Sequence, residues 1–588
     1  MVDFKKILKR LVFSTILLIA VLVLYASFLS PIPKFFTEGI PYTAYNAENQ
    51  EAMMLVHGDH LQLMYHFKLA REMITGKIPL FYNLYEFNLG EDTGRRVVDP
   101  YYIPYSLVFS VASLLFGDAF GWNISQLLSV ATGFFLLFLL ARRLAAKDDP
   151  EAGIIAFCSA FIASCIPYLW VTLAGGSPTG FGMSLVPGVV LGIHMAVNDR
   201  KITGGFLAGI MLLLCYTTDL HCFFFAAITL PLWCAMFWCM SEGWPKNNIK
   251  QILRIFLALL PLVICGVIAV LLSDWLRSQY AATDVAGGRS LSSVAANSPS
   301  PASIINISIP GQFSQHFNIG IGIAAVLIVC ALIMLVFLLY IIFSKYDRDL
   351  VSFGEWLTGL LIVLAVIFVI MLALGTNAPK NGLPIRVARK LIPPYSMIRQ
   401  PVKIFCLLPT LMALSFAISF RYLRRRISHN GTLSACSILI CILVLYASSR
   451  STTAGVSLLP KSNTAYAAVV EEAAKTDTVP RAVAIPIWPG DSAWSSLYEF
   501  YSIQNGLRMI NGYSPVKTSD YMENVFHKFE TIAHGQLDDE QIAALQNFGV
   551  TAIILHENAF PEKVSPFPAG VALRNLLAHP RLKLLAQD

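Results

Sequence analysis

Eleven apolar runs, each long enough to cross a hydrocarbon core of about 30 Å as a helix of roughly 17 to 25 residues, divide this chain. They occupy 11–30, 122–140, 153–172, 181–197, 202–218, 222–240, 255–272, 319–343, 357–374, 404–420 and 432–449. In lipid every backbone N–H and C=O must bond within its own segment, so such runs fold as helices. The expected fold class is therefore a polytopic α-helical membrane protein. Composition agrees: 56% of the 588 residues are hydrophobic and 13% charged, with a mean hydropathy of +0.62, against roughly 25% charged in soluble domains. The first run follows a basic flank and lacks a clear small-x-small cleavage site, which predicts an uncleaved first span. The run 103–116 is shorter and contains Pro104, so it reads as an interfacial or re-entrant helix.

The net charge of +7 carries no nucleic-acid signature, because the basic residues fall in short clusters between apolar runs. These are Lys5, Lys6, Lys9 and Arg10; Arg142 and Arg143; Arg200 and Lys201; Lys246, Lys250 and Arg254; Lys345 and Arg348; and Arg421, Arg424, Arg425 and Arg426. With eleven spans they all share one side, which the positive-inside rule makes cytoplasmic. The N-terminus is then cytoplasmic. The opposite side receives a first external loop at 31–121, a Gly/Ser/Ala/Pro-rich loop at 273–318 expected to be mobile, a basic loop at 375–403, and a tail at 450–588. Residues 1–449 form the transmembrane domain. The eleven cysteines lie within or at the start of apolar runs with no CxxC spacing, so they read as small core residues.

The tail reads as an extracytoplasmic α/β domain. The segment 481–488 has the β-branched, alternating character of a strand, and 538–557 reads as a helix followed by a buried strand. Asp538 and Gln541 have capping-box spacing, and Gly549 suits a left-handed helix end. No nucleophile motif or phosphate loop is present there, and no internal repeat occurs in the chain.

Candidate chemistry gathers in the external segments. Asp59 lies within His57-Gly58-Asp59-His60, ahead of an expected helix whose Leu61, Met64 and Leu69 form an apolar stripe lying on the membrane. Asp59 either caps that helix, or serves at the membrane boundary as a base or a cation ligand. Glu91, Asp92 and Asp99 offer second carboxylates. Phe81, Tyr82, Tyr85, Tyr101, Tyr102 and Tyr105 form sugar-stacking platforms or, the better single reading, an interfacial belt. Asp219 and His221, where the fifth span turns into the sixth, are ionisable groups at the external surface and are functional or paired. Arg386, Arg389, Lys390, Arg399 and Lys403 run against the usual charge bias, and binding a lipid phosphate explains them best. A divalent cation, Mg or Mn, is left open, with Asp59, His57 and His60 as its candidate ligands.

The segment 58–92, with Asp59-His60-Leu61-Gln62 and Asn88-Leu89-Gly90-Glu91-Asp92, resembles the first external loop of bacterial YfhO-like proteins in the GT-C superfamily of integral-membrane glycosyltransferases. Pro394-Tyr395-Ser396-Met397-Ile398-Arg399-Gln400-Pro401 is similar to their Arg-x-Pro segment before a late span. Thr218-Asp219-Leu220-His221 resembles their polar turn, and the stretch from Phe548 to His556 a recurring stretch of their terminal domain. The resemblance implies a bacterial inner-membrane enzyme that moves a sugar from a polyprenyl-phosphate donor to a glycan, lipid or protein acceptor on the external face. By the same resemblance Asp59 is the acidic residue of the first loop, and the segment around Arg399, with Lys403 and Arg389, holds the lipid phosphate. The rival readings are a transporter or flippase of a lipid-linked sugar, and a non-enzymatic envelope assembly factor.

Overall fold

The computed structural model describes residues 4–30, 32–43, 52–90, 95–96, 102–145, 151–241, 248–279, 288–305, 318–343, 353–424, 426–427, 431–450, 454–490, 492–514, 519–560 and 567–588. All eleven apolar runs fall on helices. Among the described residues eight helices are long and apolar enough to cross a membrane, or nine when a bent pair counts as one span. In chain order the helices begin with α1 (Phe4–Phe28), followed by α2 (Asp59–Ile74), the short α3 (Tyr105–Phe116) and α4 (Asp118–Leu144). The bent pair is α5 (Ala152–Ser164) and α6 (Pro167–Ala174), which meet at 52°. Pro167 opens α6 without a backbone donor, and the Trp170 indole donates to the freed Ser164 carbonyl at 2.8 Å.

Next come α7 (Pro178–Gly182) and α8 (Val186–Asn198), which make one span, then α9 (Ile202–Thr218), α10 (Leu220–Met240) and α11 (Ile249–Gln279). Beyond the loop helices α12 (Leu291–Ala296) and α13 (Pro301–Ile304) follow α14 (Ile321–Phe343), α15 (Phe353–Ala373), the short α16 (Pro379–Leu391), α17 (Leu408–Arg424) and α18 (Thr432–Ser449). The α7–α8 span and the span ending in α17 are 94% buried, whereas the α11 span is 22% and the α14 span 28% buried. The first two are thus the bundle's axis, and the last two face lipid. Small residues let helices touch: a Cβ on Gly192 would come within 2.4 Å of the Ala208 nitrogen, and one on Gly205 within 1.9 Å of the Ala258 oxygen.

At one end of the bundle the basic clusters meet. Arg143 pairs with Asp199, Lys201 approaches the same carboxylate at 3.8 Å, and Arg421 pairs with Glu355 while donating to the Leu144 carbonyl at 3.1 Å. At the other end the first loop and the tail interlock. Strand β1 (Gly39–Thr43) pairs antiparallel with β5 (Ala454–Leu458) of the tail, in register Gly39 to Leu458, and β2 (Ala52–Met54) pairs with β5 in parallel. A small ladder joins β3 (Tyr82–Asn83) to β4 (Arg95–Arg96). In the tail, β6 (Arg481–Ile485) lies between β7 (Arg508–Met509) and β8 (Ala552–Leu555), all parallel. The expected strand and helix–strand pair are both present: Asp538 and Gln541 close a capping box on the helix Asp539–Asn547, and Gly549 sits at φ +73°.

Two expectations change. Helix α2 does not lie on the membrane: Leu61, Met64 and Leu69 are fully buried, and Lys68 and Glu72 are buried with them, because α3 covers one side and α20 (Ser495–Asn505) of the tail the other. The aromatic residues of the first loop are not a belt: Tyr85 and Tyr105 are buried, Tyr82 is half-buried, and only Phe81 stands 54% exposed among those whose burial is described. Tyr101 lies outside the described residues. The Gly/Ser/Ala/Pro-rich loop forms, over its described residues 288–305, α12 and α13, each capped by a serine hydroxyl, Ser290 and Ser300. It is tied to the basic loop, where Asn377 donates to the Ser298 carbonyl at 2.9 Å and the Thr376 amide to the Ser298 hydroxyl at 3.1 Å.

Helix α3, at 12 residues, reaches only about 18 Å and does not cross a bilayer. Its inner face, Tyr105 and Phe109, packs inward, while Val111, Leu114, Leu115 and Phe116 are exposed.

Candidate functional site

The site forms where four segments of the bundle's tail-bearing end converge: the start of α2, the α6–α7 turn, the α9–α10 turn and the end of the basic loop. The α6–α7 turn presses on α2 so closely that a Cβ on Gly176, at φ +73°, would lie 2.2 Å from the His60 Cα. Gly58 stands at the cap position of α2 and offers no side chain. Asp59 is therefore not the cap. It is the first helical residue, exposed, and its Oδ1 accepts the Tyr513 hydroxyl at 2.7 Å.

The tail surrounds this turn. The His57 ring stacks on Trp494 with centroids 3.4 Å apart, the Gly58 amide donates to the Ser496 hydroxyl at 3.0 Å, and Gln62 donates to the Tyr513 carbonyl at 3.3 Å. His60 turns inward toward Tyr42, with ring centroids 5.9 Å apart, and burial holds its imidazole down from 6.5 to about 3, with His57 adding to the effect. His57, Asp59 and His60 thus point to different partners, and among the described residues no group of three or more His, Cys, Asp and Glu is placed to hold a metal ion. Glu91, Asp92 and Asp99 lie outside the described residues.

Asp219 is buried and closes on its own helix. Its carboxylate accepts the amides of His221 and Cys222 at 3.3 and 3.2 Å, which caps α10, and it pairs with the His221 Nδ1 at 3.1 Å. Burial alone would push this carboxyl up, but His221 and then Lys403 outweigh it and hold the group well below the usual carboxylate range. Lys403 reaches into the same corner, its Nζ donating to the Ser177 hydroxyl at 3.4 Å. Arg399 stands within electrostatic reach of both His221 and Tyr513. The two cations thereby bridge the Asp59 side of the site and the Asp219 side. Arg389 is engaged elsewhere: its Nη2 donates to the Arg289 carbonyl at 2.6 Å and so anchors the 288–305 segment.

An apolar groove of about 320 Å³ runs between α14 and α15, with α13 at one end, and is lined by Ile304, Ile319, Leu327, Met334, Ile370 and Leu374 among others. Its upper end at Leu374 adjoins Gly375, where a Cβ would lie 2.7 Å from Pro401. Pro401 in turn stands two residues of chain before Lys403. Reasoning from sequence missed Tyr513, Ser177 and this groove. Only the Asn511-Gly512-Tyr513 turn, a polar-aromatic break after β7, hints at the first.

Fold and site together define a multi-pass α-helical membrane protein whose polar end is built jointly by the first loop and the tail. No family model and no curated protein matches the chain. Among solved structures it is similar to the arabinofuranosyltransferase AftD from Mycobacteria, at TM-score 0.57 and 14% identity over 98% of this chain. A mutant of AftD gives TM-score 0.52 at the same identity over 93% of this chain and 36% of that one. The chain spans 37% of the AftD chain. The archaeal oligosaccharyltransferase AglB from Archaeoglobus fulgidus, in complex with an inhibitory peptide and a dolichol-phosphate, shares only a general shape, at TM-score 0.48, 11% identity, and coverage of 94% of this chain and 70% of that one. At these identities the likeness is one of fold.

Proposed function

We propose that this protein is an integral-membrane glycosyltransferase that moves a sugar from a polyprenyl-phosphate donor to a hydroxyl acceptor, in the manner of the YfhO-like proteins its motifs resemble. The observation that supports the reading is the convergence on one corner of an exposed carboxylate, Asp59, bonded to the Tyr513 phenol, with Arg399 in electrostatic reach of that phenol and of His221, and Lys403 in reach of Asp219 and His221. The groove between α14 and α15 takes the polyprenyl chain, and the cations take its phosphate. The acceptor hydroxyl attacks the anomeric carbon, its proton passes to Asp59, and the bond from that carbon to the phosphate oxygen breaks. The phosphate leaves with its negative charge held by Lys403 and Arg399. Asp219 takes no proton in this scheme, because it is buried and spent on capping α10. It keeps His221 and Lys403 in place. On this reading the basic clusters face the cytoplasm of a bacterial inner membrane, and the tail lies outside.

Membranes carrying the protein, supplied with a labelled polyprenyl-phosphate sugar, are expected to transfer label, and Asp59→Asn at matched expression to reduce transfer by at least about 100-fold. Equal transfer by both proteins would remove Asp59 from the chemistry. Label that crosses the membrane without joining an acceptor would instead identify a flippase.

A further inference from the structure

The tail does more than cover the site. We infer that Tyr513 is a positioning residue for Asp59: its phenol holds one carboxylate oxygen and leaves the other free for the acceptor's proton. The inference rests on the transferase reading above, and assigns the tail a part in the reacting centre.

The support is a chain of hydrogen bonds that begins and ends on α2. The Tyr65 hydroxyl donates to Asn83 Oδ1 at 2.6 Å, Asn83 Nδ2 donates to Glu86 Oε1 at 2.8 Å, and Glu86 Oε2 accepts the Tyr513 amide at 3.0 Å. The Tyr513 hydroxyl then donates to Asp59 Oδ1 at 2.7 Å, while Gln62, one turn on from Asp59, donates to the Tyr513 carbonyl at 3.3 Å. Tyr65, Asn83 and Glu86 are buried, so the frame that aims the phenol is rigid. The residue before Tyr513 has to be glycine, because a Cβ on Gly512 would lie 2.5 Å from Glu86 Oε2. Burial, and then the charge of Asp59, push the Tyr513 phenol well above its ordinary range, so it remains a donor at neutral pH. A base on the exposed first turn of a helix would otherwise sample several rotamers. Held by one oxygen, it presents the other in one direction, which is the pre-organisation that proton transfer requires.

The test has two readouts. The first needs no turnover: in protein carrying ¹³Cζ-tyrosine, the Tyr513 resonance is assigned by its loss in Tyr513→Phe. It is expected to move in Asp59→Asn and to titrate at lower pH there, since the carboxylate charge is gone. A resonance indifferent to Asp59→Asn means the bond is not made, and overturns the inference whatever the protein's activity. The second is kinetic: Tyr513→Phe, which keeps the ring, is expected to lower kcat by about tenfold with the donor KM within about twofold. In the Asp59→Asn background the same change is expected to have no further effect, because the phenol acts through that carboxylate. Full kcat in Tyr513→Phe, or an equal loss in the Asp59→Asn background, would overturn the positioning role while leaving the transferase intact. A wild-type protein that makes the bond but transfers no sugar would overturn the transferase reading and this role with it.

Discussion

The start of α2 and the start of α10 are nearly the same sentence in sequence, an aspartate with a histidine one or two residues behind it, placed at the same end of the bundle. They end up opposite. At α10, Asp219 stands at the cap position, turns its carboxylate onto two backbone amides and the His221 ring, and is buried. At α2 the cap position belongs to Gly58, so Asp59 moves one residue into the helix, and it stays exposed with its Oδ1 accepting the Tyr513 phenol. The histidines reverse as well. His221 faces a carboxylate, whereas His60 is buried against Tyr42. One residue of helix register decides which acid is buried in a cap and which stays exposed.

That contrast predicts different losses. Asp59→Asn is expected to abolish transfer by the margin given above without moving the thermal midpoint, since the carboxylate is exposed and caps nothing. Asp219→Ala is expected to cost about 2 kcal/mol of stability, the upper end of a lost helix cap, read as a lower thermal midpoint in detergent. The comparison breaks if Asp219→Ala leaves the midpoint unchanged while silencing transfer, because Asp219 would then be the working acid.

Lys403 sits between the two regions and sharpens the distinction. If it holds the donor phosphate, Lys403→Met raises the donor KM by roughly tenfold, as the loss of one charge-assisted hydrogen bond would. If it serves only as counter-charge to Asp219, the same substitution lowers the thermal midpoint and leaves KM alone. Donor titrations on the two proteins separate these outcomes.

How much of this was legible beforehand follows the physics of each element. The membrane helices were, because a run that must satisfy its backbone in lipid has one solution. The Asp538–Gln541 capping box and the 481–485 strand were, because caps and alternation are local. The surroundings of Asp59 were not. The apolar stripe of Leu61, Met64 and Leu69 fits a helix on a membrane and a helix beneath a tail equally well, and only α20, more than 400 residues on, decides between them. Tyr513 was invisible for the same reason: 454 residues separate it from Asp59. The serine caps of α12 and α13 are written in Ser290 and Ser300, but the Gly/Ser/Pro composition around them masked two very short helices. The convergence of Arg399 and Lys403 on His221 follows from the order of spans around the bundle, which a single sequence does not state.

The smallest effect concerns the histidines. Burial holds the His60 imidazole at about 3, against 6.5 when free. On acidification the unfolded chain therefore takes up this proton first, and stability falls as pH drops below 6.5, by about 1 kcal/mol at pH 6. His221, with the Asp219 carboxylate 3.1 Å away, has a counter-charge that His60 lacks. Thermal midpoints measured at pH 7.5 and pH 6 for the wild type and for His60→Gln should therefore differ in slope, the variant losing part of the acid-induced drop. The His556 ring, buried among Tyr466, Tyr498 and Tyr501 and also held at about 3, contributes in the same direction in both proteins and cancels from the comparison. Identical slopes would mean that His60 finds a proton acceptor at low pH, and that the two helix starts are more alike than their burial implies.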